Sequence, residues 1–219
     1  MNVLLFGATG MIGQGVLREC LLDPGIERVL IVGRRATGQR DEKLDEIVVP
    51  DVTDLSAVES ELSGFDACMF CLGVSAAGMS EEKYARQTYD LTLAVARTLA
   101  LLNPTMTFLY VSGTGTDASE RGRTMWARVK GRTENALLRL PFAAAYMFRP
   151  AFILPLHGIR SRTTLYRAVY AVAHPLYPVL RRLAPGYVTT TERIGRAMIA
   201  VARDGFSRPI VEAADLTRF

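Results

Sequence analysis

The run Asn2-Val3-Leu4-Leu5-Phe6-Gly7-Ala8-Thr9-Gly10-Met11-Ile12-Gly13 decides how the rest of the chain is read. Five residues of strand character lead straight into GxxGxxG, and the helical pattern Met11–Leu22 follows without a break. Each glycine has a physical task in such a strand–turn–helix unit: Gly7 allows the tight turn, Gly10 lets backbone amides approach a pyrophosphate, and Gly13 lets helix and sheet pack closely. The helix start adds partial positive charge and free N–H groups, which favour phosphate. With a strand before it and a helix after it, the motif has the context of a dinucleotide-binding fingerprint, with Gly7, Thr9, Gly10, Met11, Ile12 and Gly13 as the phosphate-side candidates.

Strand–helix alternation continues outward from this unit. Strand-like runs fall at 28–32, 46–49, 66–71, 105–111 and 144–148, separated by helical patterns at 55–62, 81–102 and 123–140. The strands are continuous apolar runs, as expected of a sheet covered on both faces. The pattern predicts an α/β fold, a Rossmann-like doubly wound parallel sheet with its crevice at the carboxyl ends of the strands. Alternation weakens after Pro150, and residues 151–190 are expected to form a small C-terminal cap on the substrate side of a single domain spanning 1–219.

Composition agrees with a folded globular chain, 49% hydrophobic and 22% charged. The start Met1-Asn2-Val3-Leu4-Leu5 has no basic secretory n-region, and the apolar stretch from Leu165 to Leu180 is broken by Arg167, His174, Pro175 and Pro178. A cytoplasmic protein without a transmembrane segment is expected. Residues 1–110 hold 9 basic against 15 acidic side chains, and residues 111–219 hold 17 against 7. The basic half admits phosphorylated ligands, nucleic acid or anionic lipid, or simply a solvated surface. Cys68 and Cys71 have redox spacing but sit on one strand, where residues three apart face opposite ways; buried thiols are the better account. Two histidines, His157 and His174, without clustered partners give no metal site.

An acid about 20 residues past the last glycine would bind the ribose hydroxyls of NAD. Here the second strand runs into Gly33-Arg34-Arg35, and no carboxylate appears until Asp41. The arginine pair suits a 2′-phosphate, so NADP(H) is favoured over NAD(H), the alternative being ordinary loop surface. Asp51-Val52 is expected at the adenine edge, and Cys71-Leu72-Gly73 beneath the adenosine ribose.

Together the glycine motif, the basic pair, Asp51-Val52 and a serine after the fifth strand resemble the short-chain dehydrogenase/reductase superfamily, closest to its atypical, epimerase-like branch. The resemblance spans residues 1 to about 155. It implies a catalytic serine after strand five, a tyrosine, and a lysine four residues beyond the tyrosine. Ser112 fits the first position and Lys130 the last, but the tyrosine position holds Trp126. The resemblance also implies contacts to the nicotinamide end from Lys130 and Pro150, and places Thr88 at the position of a family asparagine.

Helical spacing puts Trp126, Lys130, Thr133 and Leu137 within about 60° of one another, with Arg128, Arg132 and Arg139 facing outward. An indole N–H donates a hydrogen bond but does not ionise usefully, so Trp126 cannot act as the acid. It is either a packing aromatic or a wall near the nicotinamide. Thr114, Thr116, Tyr84 and Tyr89 are other hydroxyls near the crevice. Arg160, Arg162, Arg167, Arg181 and Arg182 punctuate the apolar stretch 159–183, which suits an anionic, partly apolar ligand, peripheral membrane contact, or a cover helix. No nucleic-acid signature accompanies the arginines, so no specific nucleic-acid partner is expected. Two readings stand: an NADP(H)-dependent oxidoreductase- or epimerase-like enzyme acting on a small molecule, and a catalytically impaired NADP(H)-sensing or scaffolding module.

Overall fold

Apolar residues of both parities along each strand determine the layering. A computed structural model describes residues 1–159 and 186–219. Seven parallel strands form the main sheet: β1 (Asn2–Phe6), β2 (Arg28–Gly33), β3 (Leu44–Val48), β4 (Ala67–Phe70), β5 (Thr107–Val111), β6 (Ala144–Arg149) and, near the chain end, β9 (Ile210–Glu212). Their order is β3-β2-β1-β4-β5-β6-β9. The chain winds one way from β1 to β3 and the other way from β4 onward, so the switch point lies between β1 and β4. In a doubly wound sheet, ligands bind outside the strand ends at that point.

Val3, Leu5, Ile31, Met69 and Leu109 face one side of the sheet, under α1 (Met11–Leu22) and α5 (Thr191–Asp204). Their neighbours Leu4, Phe6, Leu30, Phe70 and Phe108 face the other, under α3 (Leu91–Leu102) and α4 (Met125–Leu137). Each large apolar side chain so buried is worth about 1.5–3 kcal/mol. Cys68 joins the second layer and Cys71 packs against the first, so these thiols cannot form a redox pair. Burial raises both, Cys71 to about 12.

Several elements differ from expectation. The segment expected as a helix at 55–62 is a short 3₁₀ stretch, Ser56–Glu61, with Val58 packed against the core between the buried Leu55 and Leu62; so short a segment gains too little to offset the cost of nucleating an α-helix. The expected helix 81–102 is divided into α2 (Glu81–Ala85), a π-turn (Arg86–Asp90) and α3. The sheet also gains β9, a three-residue strand whose pattern is too short to recognise in isolation.

Of the expected cap, residues 160–185 lie outside the described residues. Its two described ends form a small parallel pair, β7 (Phe152–Leu154) with β8 (Val188–Thr190). Helix α5 follows directly, its start capped by Thr190 Oγ1, which accepts from Arg193 N. It crosses α1 at two glycines: a Cβ at Gly15 would lie 2.6 Å from Thr191 Cβ, and one at Gly195 would lie 3.1 Å from Gly15 O. Among the described residues no helix is long and apolar enough to cross a membrane, and no group of acids, histidines and cysteines is placed to hold a metal ion.

Candidate functional site

The glycine turn is packed so tightly that its sequence has little latitude. Gly7 has φ +86°, and a Cβ there would sit 2.7 Å from Cys71 C and Leu72 N, where the ends of β1 and β4 meet. A Cβ at Gly13 would lie 2.1 Å from Gly7 O, so only glycine lets α1 start against the turn. Helix α1 opens at Gly10 with no side-chain cap and no acid in its first turn. The first amides of any helix have no intrahelical acceptor, and here no side chain caps them.

Beside this turn is a cleft of about 500 Å³ at the switch point. Gly7 and Thr9 form one side, Arg34, Arg35, Asp51 and Val52 another, and Leu72 with Gly73 a third. The structure thus brings together residues from the ends of four strands. Arg34 and Arg35 are exposed, and neither has an ion pair or side-chain hydrogen bond among the described residues. Asp51 accepts from Thr53 N at 2.9 Å and Thr53 Oγ1 at 2.8 Å, and these bonds hold its carboxyl below the usual range. Two lining residues were not legible in the sequence, Gln87 and Leu91, both delivered by the interrupted helix.

Ser112, Lys130, Trp126 and Pro150 gather separately, around the ends of β5 and β6. Ser112 Oγ donates to Glu134 Oε1 at 2.5 Å and also lies 3.1 Å from Phe148 O. Glu134 is 1% exposed and takes both arms of Arg149, Nε at 3.0 Å and Nη2 at 2.5 Å; Arg149 Nη1 reaches Glu212 on β9 at 3.1 Å. Glu134 was missed in the sequence although its signal was available, since it lies one helical turn beyond Lys130 on the same face.

Lys130 Nζ donates to Ser112 O at 2.6 Å and stands 5.6 Å from the centre of the Tyr110 ring. Burial lowers its pKa from 10.5 to about 8, with Glu134 acting in the opposite sense. Trp126 is half-buried, its indole edge over the turn at Gly115, where a Cβ would be 3.4 Å from Cη2. Thr114 Oγ1 donates to Arg149 O at 2.9 Å, and Thr116 Oγ1 to Gly113 O at 2.7 Å. Pro150 O accepts from Thr114 N at 3.0 Å, so it anchors this loop. Tyr84 is buried and its hydroxyl raised by that burial, with Thr88 acting in the opposite sense; Thr88, in the π-turn, is buried as well. Of the arginines expected to face outward, Arg132 and Arg139 are exposed, Arg132 lying 4.0 Å from the centre of the Tyr89 ring, and the partly exposed Arg128 bonds Glu81 and Gly122 O.

A family model for NAD dependent epimerase/dehydratases matches residues 3–123, more than half of the sequence. The chain belongs to the NAD dependent epimerase/dehydratase family. Its NAD(P)-binding fold is the epimerase-like one of the short-chain dehydrogenase/reductase superfamily. Protein fmp52, mitochondrial, of Emericella nidulans is 28% identical over 206 residues, covering 90% of this chain and 85% of that protein. Protein HTATIP2 of Rattus norvegicus is 27% identical over 155 residues, 70% of this chain and 63% of its own length. Among solved structures, a UDP-glucose 4-epimerase matches with a TM-score of 0.70 at 14% identity, over all of this chain and 80% of its own. The Bordetella bronchiseptica enzyme WbmF, solved in complex with NAD+, matches at 0.67 and 16% identity, over 99% of this chain and 76% of its own.

Proposed function

We propose that the protein binds NADP(H) in the cleft and is an oxidoreductase- or epimerase-like family member that lacks the family's phenolic proton donor. The cleft fits such a group on two counts: glycines stand wherever a Cβ would fill the phosphate cradle, and Arg34 and Arg35 overhang the ribose side unpaired. The second observation carries the cofactor assignment, because an acid would select a 2′-hydroxyl at that place and paired guanidinium groups select a 2′-phosphate. Gly7, Thr9, Gly10, Met11, Ile12 and Gly13 then hold the pyrophosphate. Asp51 and Val52 flank the adenine, and Cys71, Leu72 and Gly73 underlie the ribose. Lys130 and Pro150 stand at the nicotinamide end. The bound dinucleotide would supply or accept a hydride.

Reduction of a carbonyl also needs a proton for the new alkoxide, and a positioned general acid contributes about 10²–10⁴-fold. The hydroxyls of Ser112, Thr114 and Thr116 already donate to protein acceptors, and position 126 carries an indole. Slow turnover, or a cofactor-sensing or scaffolding role, is the reading these contacts favour. Lys130 supports the enzymatic alternative, since an amine with a pKa of about 8 exchanges protons near neutral pH. Nucleic acid is not among the proposed partners, with Arg128 and Arg132 engaged by Glu81 and Tyr89. The arginine-punctuated stretch offered for membrane contact lies, beyond Ile159, outside the described residues. The cytoplasm remains the proposed compartment, and cell fractionation tests it against the mitochondrial naming of the Fmp52 relatives.

Calorimetric titration with NADP+ and NAD+ tests the cofactor assignment. Tighter NADP+ binding that is lost in the Arg34→Ala/Arg35→Ala double variant is expected; equal or tighter NAD+ binding overturns it. An aldehyde and ketone screen with NADPH is expected to show little turnover in the natural protein and more in Trp126→Tyr. Turnover near the enzyme median of about 10 s⁻¹ in the natural protein would show that another donor operates.

A further inference from the structure

Three consecutive residues of the interrupted helix meet three different surroundings. Gln87 lines the cleft, Thr88 is buried, and Tyr89 lies under Arg132. Within the π-turn Leu91 N donates to Arg86 O, five residues back, which accommodates one more residue than an α-turn would. An extra residue turns everything before it by about 100° relative to an unbroken helix. Tyr84, seven residues before Leu91, would share its face on an unbroken helix; the extra residue turns Tyr84 into the core, while Leu91 lines the cleft with Gln87. Gln87 is half-buried, and its carboxamide has no hydrogen-bond partner among the described residues. A carboxamide with donors and an acceptor, aimed into a cleft and unpartnered, is a ligand-recognition group.

The same cleft is lined by Arg34, Arg35 and Asp51 and by the apolar side chains Val52 and Leu91. That combination suits a flat heterocycle carrying hydrogen-bonding groups, joined to a phosphorylated sugar. We infer that Gln87, presented by the π-turn, is a binding and specificity-determining residue for the adenosine half of the dinucleotide. The inference rests on the reading that this cleft takes NADP(H). The π-turn is then the element that lets one helix serve the core and the cofactor at once.

Two ligands separate the halves of the cofactor: NADP+ and adenosine 2′,5′-bisphosphate, each titrated calorimetrically into the natural protein, Gln87→Ala and Gln87→Glu. Loss of one neutral hydrogen bond predicts about 5-fold weaker binding in Gln87→Ala, by the same factor for both ligands. Melting temperatures of the unliganded variants are expected to match the natural protein. Gln87→Glu keeps the side-chain length and is expected to weaken both ligands at least as much, since a carboxylate repels their phosphates. Unchanged affinity for the bisphosphate in both variants overturns the inference, whether or not NADP+ binding falls. Failure of the natural protein to bind either ligand overturns the cofactor reading itself, and the inference with it.

Discussion

Glu134 holds more of the site together than any residue that the family motif names. It is buried, accepts from Ser112, and takes a two-armed bond from Arg149, whose remaining arm reaches Glu212. Removing one member of a buried, hydrogen-bonded ion pair costs about 3–5 kcal/mol. Glu134→Ala is expected near the low end, because Glu212 still pairs with Arg149, and Glu134→Gln is expected to cost less because it can still accept from Ser112. Urea unfolding of both variants measures this; equal stability of Glu134→Ala and the natural protein contradicts it. Lys130 carries the opposite kind of energy. Below about pH 8 its amine is protonated whether the chain is folded or unfolded, and the fold bears the full cost of desolvating it. Between about 8 and 10.5 the folded amine has lost its proton and the unfolded one has not, so Lys130's contribution to stability rises with pH there. Lys130→Met is expected to be more stable than the natural protein at neutral pH, with the gap narrowing across that window. A gap that stays constant with pH contradicts the lowered pKa.

The elements were legible wherever one period ran long enough to register. Helices α1 and α4 and strands β1, β2 and β5 follow from apolar patterns bounded by turn residues, and the structure shifts their ends by a few residues at most. The π-turn was not legible, because Arg86-Gln87-Thr88-Tyr89-Asp90 has no signature that distinguishes five-residue from four-residue hydrogen bonding. Its setting is tertiary: Tyr84 is buried while Leu91, seven residues on, faces the cleft. The crossing of α1 and α5 was equally hidden, since nothing near Gly15 announces a contact with Thr191, which lies far along the chain. A methyl group at Gly15 would fall 2.6 Å from Thr191 Cβ and 2.8 Å from its carbonyl oxygen, which is backbone and cannot yield. Gly15→Ala is therefore expected to lower stability by about 1–3 kcal/mol while leaving NADPH affinity unchanged. A change in NADPH affinity would show that the two-glycine crossing supports the cradle as well as the fold.

At the scale of the molecule, part of the charge asymmetry of the sequence is met by pairing between its two halves. Arginines of the basic half pair with acids of the acidic half: Arg196 with Glu19, Arg203 with Asp23, and Arg128 with Glu81. The partly exposed pairs of Arg203 and Arg128 are worth about 0–1 kcal/mol each, so they settle where charge sits more than they hold the fold, whereas Glu19 is buried beneath Arg196. Arg34 and Arg35 stand outside this pairing, which is why the cofactor is expected to discriminate at them. NADPH at 100 times its Kd adds about 2.7 kcal/mol to the folded state. For a chain of this size that is a rise in melting temperature of roughly 5–10 °C. The same concentration of NADH is expected to give a clearly smaller shift, and equal shifts contradict the preference.

What the sequence determined by itself is the doubly wound sheet and its glycine turn, because both are written in local terms. Strand period, turn glycines and a helix start are contiguous, and Gly7 and Gly13 are sterically required within one short segment. The position of Ser112 was legible, but the direction of its hydroxyl was not. That direction depends on Glu134, Arg149 and Glu212, which come from α4, β6 and β9 and meet only when the sheet closes around its last strand. A buried carboxylate needs hydrogen bonds wherever the fold leaves it, and here it takes one from Ser112. The tertiary structure thus decided which candidate side chains face the crevice, because that depends on partners distant in sequence that each side chain must satisfy.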